Sequence, residues 1–196
     1  ATRLDLLDRD EYTQHYNNIL AGRGRDEEIP AGFLDQVANT DWQDEVFRTA
    51  IMQNHQLGFS GGNEKLFYNA ALNYFDQDGV VVGTGFERYT ARLNLDGQIN
   101  ERISFGNNFS FTHSVREAGQ VNGNGFRGGD IVFSALTTPP WVPVRDEEGF
   151  LVQSPREWAD DSEFDLPRPL GRNDNPLLVA QEAINDITTN RVLGNI

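Results

Sequence analysis

The sequence predicts an all-β fold, an antiparallel transmembrane β-barrel segment with long, partly helical extracellular loops. Three observations carry that expectation. Between residues 53 and 114, apolar and polar side chains alternate with a period of two. Two of the alternating runs, roughly Phe86–Asn100 and Arg102–Ser114, far exceed the about 5–6 residues of an ordinary globular strand. The connections, finally, alternate between short turns and long loops. A bilayer crossing needs about 9–11 tilted residues with one face toward lipid and the other toward water, and these runs supply that pattern.

Composition narrows the field further. The chain has 196 residues, 30 acidic and 16 basic side chains, and a formal net charge of −14. Lys65 is the only lysine and the remaining basic residues are arginine. Such a balance argues against a nucleic-acid-binding surface, which needs clustered cations to displace counterions. The absence of cysteine removes disulfide scaffolds, thiolate metal sites and cysteine nucleophiles together. No apolar run approaches the roughly 18 residues of a membrane helix, and Ala1-Thr2-Arg3 does not open a signal peptide. The mean hydropathy of −0.54 reads as soluble. Barrel strands produce the same value, because every apolar residue has a polar neighbour.

Residues 1–52 read as a helical and loop segment. Leu4, Leu6, Leu7, Tyr12, Tyr16, Ile19 and Leu20 recur at helical spacing, with Asp8 or Asp10 placed to cap. A second short helix is expected near Asp41–Arg48, capped by Thr40 or Asp41. Residues 53–114 read as four antiparallel strands joined as hairpins. His55, Leu57 and Phe59 open the pattern; Leu66, Tyr68, Ala70, Leu72 and Tyr74 follow. In the third run Tyr89, Ala91, Leu93 and Leu95 share one face, and Arg92, Asn94, Asp96 and Gln98 share the other. Ile103, Phe105, Phe109 and Phe111 then oppose Ser104, Gly106, Asn108 and Ser110. Residues 115–175 read as one long loop holding six of the eight prolines, a glycine cluster and acidic runs. A loop of that length is functional or disordered. Residues 176–196 read as further barrel strands, although Asn175–Ala180 by itself fits a strand or a helix.

Particular stretches resemble a known family. Asn39-Thr40-Asp41-Trp42-Gln43-Asp44-Glu45-Val46-Phe47-Arg48, Ser60-Gly61-Gly62-Asn63-Glu64 and Tyr74-Phe75-Asp76-Gln77-Asp78-Gly79 are similar to the SusC/RagA-type TonB-dependent outer-membrane transporters. So are Gly85-Phe86-Glu87-Arg88-Tyr89, Pro139-Pro140-Trp141-Val142-Pro143 and Thr189-Asn190-Arg191-Val192-Leu193-Gly194-Asn195-Ile196, in collinear order. The resemblance implies a 22-stranded barrel with an N-terminal plug in the outer membrane of a Gram-negative bacterium, of which this sequence is a fragment. It implies 1–52 as the first extracellular loop, 53–114 as early strands, 115–175 as a large extracellular loop, and the remainder as truncated strands. It implies import of large nutrients, glycans or peptides, by gated translocation without covalent chemistry. The implied partners are outer-membrane lipid, a SusD-like surface lipoprotein, and the TonB–ExbB–ExbD complex, the last through an N-terminal part outside this sequence.

Other motifs carry less. Gly123-Asn124-Gly125-Phe126-Arg127-Gly128 matches a dinucleotide fingerprint but lacks the strand–helix frame that such a site needs. Asp76, Asp78 and Gly79 with Glu87 do not have the spacing of a calcium loop. The acidic runs Asp146-Glu147-Glu148 and Asp160-Asp161-Ser162-Glu163 read as solvated faces, with cation binding the alternative. His15, His55 and His113 have no metal-ligand spacing. No catalytic residue, metal site or cofactor is therefore expected. Trp141, Trp158, Phe126 and Phe150 are the candidates for contact with substrate or a lid protein. Arg92, Asn94, Asp96 and Gln98 are the candidate lumen-facing stripe. The competing expectation is a soluble, secreted β-sandwich, such as a carbohydrate-binding module, whose two apolar sheet faces meet in a core.

Overall fold

The computed structural model of the protein describes residues 3–25, 29, 32–119, 130–161, 174–182 and 185–195. They form two compact units, a five-stranded sheet and a helical unit to which residues 80–82 of a strand connection also belong.

The sheet is an up-and-down meander. Its strands β1 (Met52–Gly62), β2 (Leu66–Asp78), β3 (Gly85–Asn100), β4 (Ile103–Glu117) and β5 (Asp186–Asn195) lie in chain order. Every pairing is antiparallel. The turn chemistry is local. Asn63 Oδ1 accepts from the amides of Lys65 and Leu66, which folds β1 back onto β2. Asn100 Oδ1 accepts from Arg102 N at 2.9 Å in the β3–β4 turn, just after a register shift between Gln98 and Asn100. Among the described residues, no buried hydrophobic residue lies in this sheet. A sandwich needs a second sheet to cover the apolar face, and the described strands form only one.

The helical unit holds α1 (Arg9–Gly22), α2 (Trp42–Val46), α3 (Ile131–Thr137), α4 (Pro155–Asp161) and α5 (Pro176–Glu182). Each start has a sequence cause. Asp8 and Glu11 form a reciprocal capping box on α1. Asp41 caps α2 through the amides of Gln43 and Asp44, while the Thr40 hydroxyl donates to the Val142 carbonyl instead. Asp130 caps α3. Helices α4 and α5 begin with proline at the first helical position, behind Ser154 and Asn175, whose side chains accept from Glu157 N and Leu177 N. One core cluster gathers Trp42, Val46, Val81, Ile131, Val142 and Leu177; a second gathers Tyr16, Leu20, Phe33 and Trp141. Trp158 packs against both.

Two expectations change here. Residues 176–182 are helix, not strand, because Asn175 and Pro176 make a strong helix start; one strand follows at 186–195. The stretch 115–175 is not one loop in its described parts. Strand β4 runs on to Glu117, two helices follow, and Pro139, Trp141 and Val142 are fully buried.

Candidate functional site

The two faces of the sheet differ in kind. Because side chains alternate, the register places Leu57, Leu72, Ala91, Phe111 and Val192 side by side in one row. The neighbouring row is His55, Tyr74, Tyr89, His113 and Asn190. Its rings touch in sequence: His55 stacks on Tyr74 at 6.2 Å, Tyr74 meets Tyr89 at 5.0 Å, and Tyr89 meets His113 at 6.3 Å. His113 Nδ1 then lies 2.7 Å from Asn190 Oδ1. Eight residues along β4 from His113 comes Phe105, whose ring covers Gly97 and leaves no room there for a Cβ. Tyr68 covers Gly61 in the same way. From the His113 row to the Phe105 row is about 27 Å along the strand, or about 21 Å of bilayer normal at a tilt of about 40°. Large side chains across this span stay exposed, Leu57 at 62 % and Leu72 at 53 %. An aromatic row, an exposed apolar band and a second pair of aromatic rings make up this face, the pattern a barrel wall presents to lipid.

The opposite face is mainly polar, with Phe67, Phe75, Phe86, Ile187 and Leu193 as its large apolar members. Arg92, Asn94, Asp96 and Gln98 all lie on it, with Asn54, Asn73, Arg88, Thr112 and Arg191 from rows two residues apart. Arg88, Arg92 and Arg191 line a shallow depression of about 560 Å³. The Arg88 guanidinium carbon stands 5.2 Å over the Phe75 ring, and Phe75 meets Phe86 at 6.0 Å. The alternation that marks Arg92 also marks Arg88. Arg191 escapes sequence reasoning, because only the β4–β5 pairing, which matches Thr112 with Arg191, brings it alongside.

The aromatic candidates separate by burial. Trp141 is fully buried in the helical unit, so it is a core residue and not a contact for cargo or lid. Tyr12, Tyr16 and Phe33 meet it edge-on at 5.0, 5.4 and 5.3 Å, and its indole N–H donates to Thr13 Oγ1 at 2.9 Å. The same burial pushes the Tyr12 phenol above its ordinary value of 10.0. Trp158 is half-buried, Phe150 is 67 % exposed, and Phe126 lies outside the described residues with the rest of the glycine motif. Of the three described, Trp158 packs against the cluster that holds Trp141, and Phe150 is exposed. Among the described residues no group of three or more His, Asp or Glu is arranged to hold a metal ion. Asp76 and Glu87 face each other on neighbouring strands and so do not share one loop.

No family model matches the chain. The TonB-dependent receptor P3 of Formosa agariphila is 32 % identical over 189 residues, covering 93 % of this chain and 16 % of that protein. The TonB-dependent receptor SusC of Bacteroides thetaiotaomicron is 32 % identical over 147 residues, covering 74 % of this chain and 13 % of that protein. The solved structure of the RagAB peptide transporter matches with a TM-score of 0.59 at 25 % identity, over 76 % of this chain and 19 % of that one. The chain thus spans less than a fifth of each of these relatives. The collinear likeness and the barrel-type sheet agree: the chain belongs to the TonB-dependent receptors of the SusC/RagA type.

Proposed function

We propose that this chain builds part of the wall of an outer-membrane importer of large nutrients, glycans or peptides, in a Gram-negative bacterium. In this reading β1–β5 are barrel strands, and residues 1–51 and 118–175 belong to extracellular loops. The apolar face meets lipid, and Arg92, Asn94, Asp96 and Gln98 face the lumen. Transport is gated translocation without bond making. The energy comes from the TonB–ExbB–ExbD complex and the lid is a SusD-like lipoprotein, with Phe150 and Trp158 as candidate contacts. One observation carries the reading: a single sheet with an uncovered apolar face ending in an aromatic row, backed by a face of arginine, asparagine and threonine. Neither face is the wall of a soluble core.

The chain's lack of cysteine permits a direct test. Leu72 and Asn73 are adjacent and point to opposite faces. In outer membranes carrying the intact protein, Asn73→Cys should react with a hydrophilic maleimide. Leu72→Cys should resist it, yet carry a fluorophore that brominated lipid quenches. Equal reactivity at both positions refutes the barrel-wall reading. Co-purification of a SusD-like lipoprotein from the same membranes tests the partner, and its absence at mild detergent concentration rules the partner out.

A further inference from the structure

The polar face of the sheet runs against the charge of the whole molecule. Acidic side chains outnumber basic ones 30 to 16 in the chain. On this face, by register, the charged side chains within the strands are Arg88, Arg92, Arg116, Arg191 and the single carboxylate Asp96. Asp96 lies four residues beyond Arg92, about 14 Å away along β3. None of the four arginines forms an ion pair among the described residues. The Arg88 Nε is buried without a hydrogen-bond partner. A guanidinium without an ion pair keeps its planar fork for a carboxylate or sulfate.

Geometry makes three of them one site. Arg88 and Arg92 are four residues apart on β3, about 14 Å. Arg191 is two strands away and level with Thr90, so it lies about 12 Å from each of them at roughly 4.8 Å per strand. The depression among the three is lined otherwise by asparagine, glutamine, threonine and serine, and its only apolar side chain is Ala71. That lining decides the occupant. A stable protein contact has an apolar centre, and this depression offers one small apolar side chain, Ala71. Hydroxyl and amide side chains interleaved with arginines at wide spacing suit a hydrated, hydroxyl-rich chain with widely separated charges.

We propose that Arg88, Arg92 and Arg191 form an anion-selective track for an acidic glycan, one carrying carboxylate or sulfate-ester groups. The assignment rests on the barrel-wall reading above and narrows it to a cargo class. The neutral groups meet sugar hydroxyls, while the three guanidinium groups hold the oxyanions and release them as salt-exposed contacts.

The test measures binding of end-labelled probes to the intact protein in detergent: dextran, dextran sulfate of the same length, and an oligoglutamate of matched charge. Dextran sulfate should bind tighter than dextran, with affinity falling as salt rises. Each single Arg→Gln change at 88, 92 or 191 should weaken it roughly fivefold, and the triple change roughly a hundredfold, to the level of dextran. Arg102→Gln, in the β3–β4 turn, should leave it unchanged. Equal binding of dextran and dextran sulfate, or a triple variant that binds like the parent, overturns the track. Oligoglutamate binding better than dextran sulfate overturns the glycan class. A triple variant that melts earlier, in a parent that binds no anionic probe, reveals a protein segment in the depression and also overturns it. The Leu72 and Asn73 labelling separates the two levels. If that pattern holds while the anion preference fails, only the track is wrong; if the pattern fails, the wall reading falls and the track with it.

Discussion

Replacing Trp141 by alanine should open the helical unit while leaving the sheet untouched. The side chain is fully buried, meets three aromatic rings edge-on and donates one hydrogen bond to Thr13. Truncating such a residue costs about 3–5 kcal/mol through lost transfer energy and the cavity left behind. The three ring contacts, at about 0.5–1.5 kcal/mol each beyond area, place it at the upper end of that range. Thr13 is not orphaned, because its hydroxyl still donates to the Arg9 carbonyl at 2.7 Å. A loss of about 4 kcal/mol raises the population of the opened unit roughly a thousandfold, a large share of a domain's about 5–15 kcal/mol. Trp141→Phe keeps most of the ring packing and loses the indole hydrogen bond, so about 1–2 kcal/mol is expected. Hydrogen exchange on the intact protein reads this directly. Amides of α1 and of Val142 should lose protection in Trp141→Ala, less in Trp141→Phe, and not at all in Phe150→Ala, whose side chain is 67 % exposed. If Trp141→Ala exchanged like Phe150→Ala while losing cargo binding, the residue would be a ligand contact and the core assignment wrong.

Three smaller perturbations probe other parts. Asp8→Ala removes the side-chain acceptor of the capping box on α1, while the residue-8 amide can still donate to Glu11, and should cost about 1 kcal/mol, seen as faster exchange at the Glu11 amide; unchanged exchange would contradict the cap. Gly97→Leu drives a side chain into the Phe105 ring that now covers the glycine. It should lower the thermal unfolding midpoint of the barrel on a semi-denaturing gel by the equivalent of about 1–3 kcal/mol, and Gly97→Leu with Phe105→Ala should recover part of it. Tyr12 titrates above 10.0 because burial disfavours its phenolate. The folded state therefore holds that proton more tightly than the unfolded chain, so the helical unit loses stability as pH rises above that value, and none of this loss occurs below it. Tyr12→Phe should flatten the alkaline decline followed by tryptophan fluorescence; an identical decline would place its cause elsewhere.

The strands were legible because a period of two needs no tertiary information. Leu57, Leu72, Ala91 and Phe111 alternate with polar residues in the sequence and share a row in the sheet. The caps were legible to within a residue or two for the same local reason, as Asp8 or Asp10 and Thr40 or Asp41, and the structure selects Asp8 and Asp41. What the sequence hid was everything set by distant partners. The β4–β5 pairing joins segments separated by more than sixty residues, so Arg191 stood apart from the arginines it accompanies. Trp141 lay in a proline-rich stretch that reads as a loop, and its burial depends on Tyr12, Tyr16 and Phe33, over a hundred residues upstream. Pro176 misled in the opposite direction. Its apolar followers look like a strand, yet proline at the first helical position behind Asn175 starts a helix.

Averages conceal how this chain uses its apolar residues. In the helical unit Phe33, Trp141, Val46 and Ile131 turn inward and are almost fully buried. In the sheet Leu57, Phe59, Leu72 and Phe109 turn outward and stay exposed. The first arrangement lowers free energy by leaving water; in the barrel-wall reading the second does so by meeting lipid. A mean hydropathy of −0.54 assigns both the same weight. Net charge conceals in the same way. A total of −14 describes the whole chain and says nothing of a face on which arginines outnumber acids four to one. Register, more than composition, therefore carries the functional information here. A one-residue slip in any strand would exchange its apolar and polar sides, which ties the turns at Asn63 and Asn100 to the chemistry of both faces.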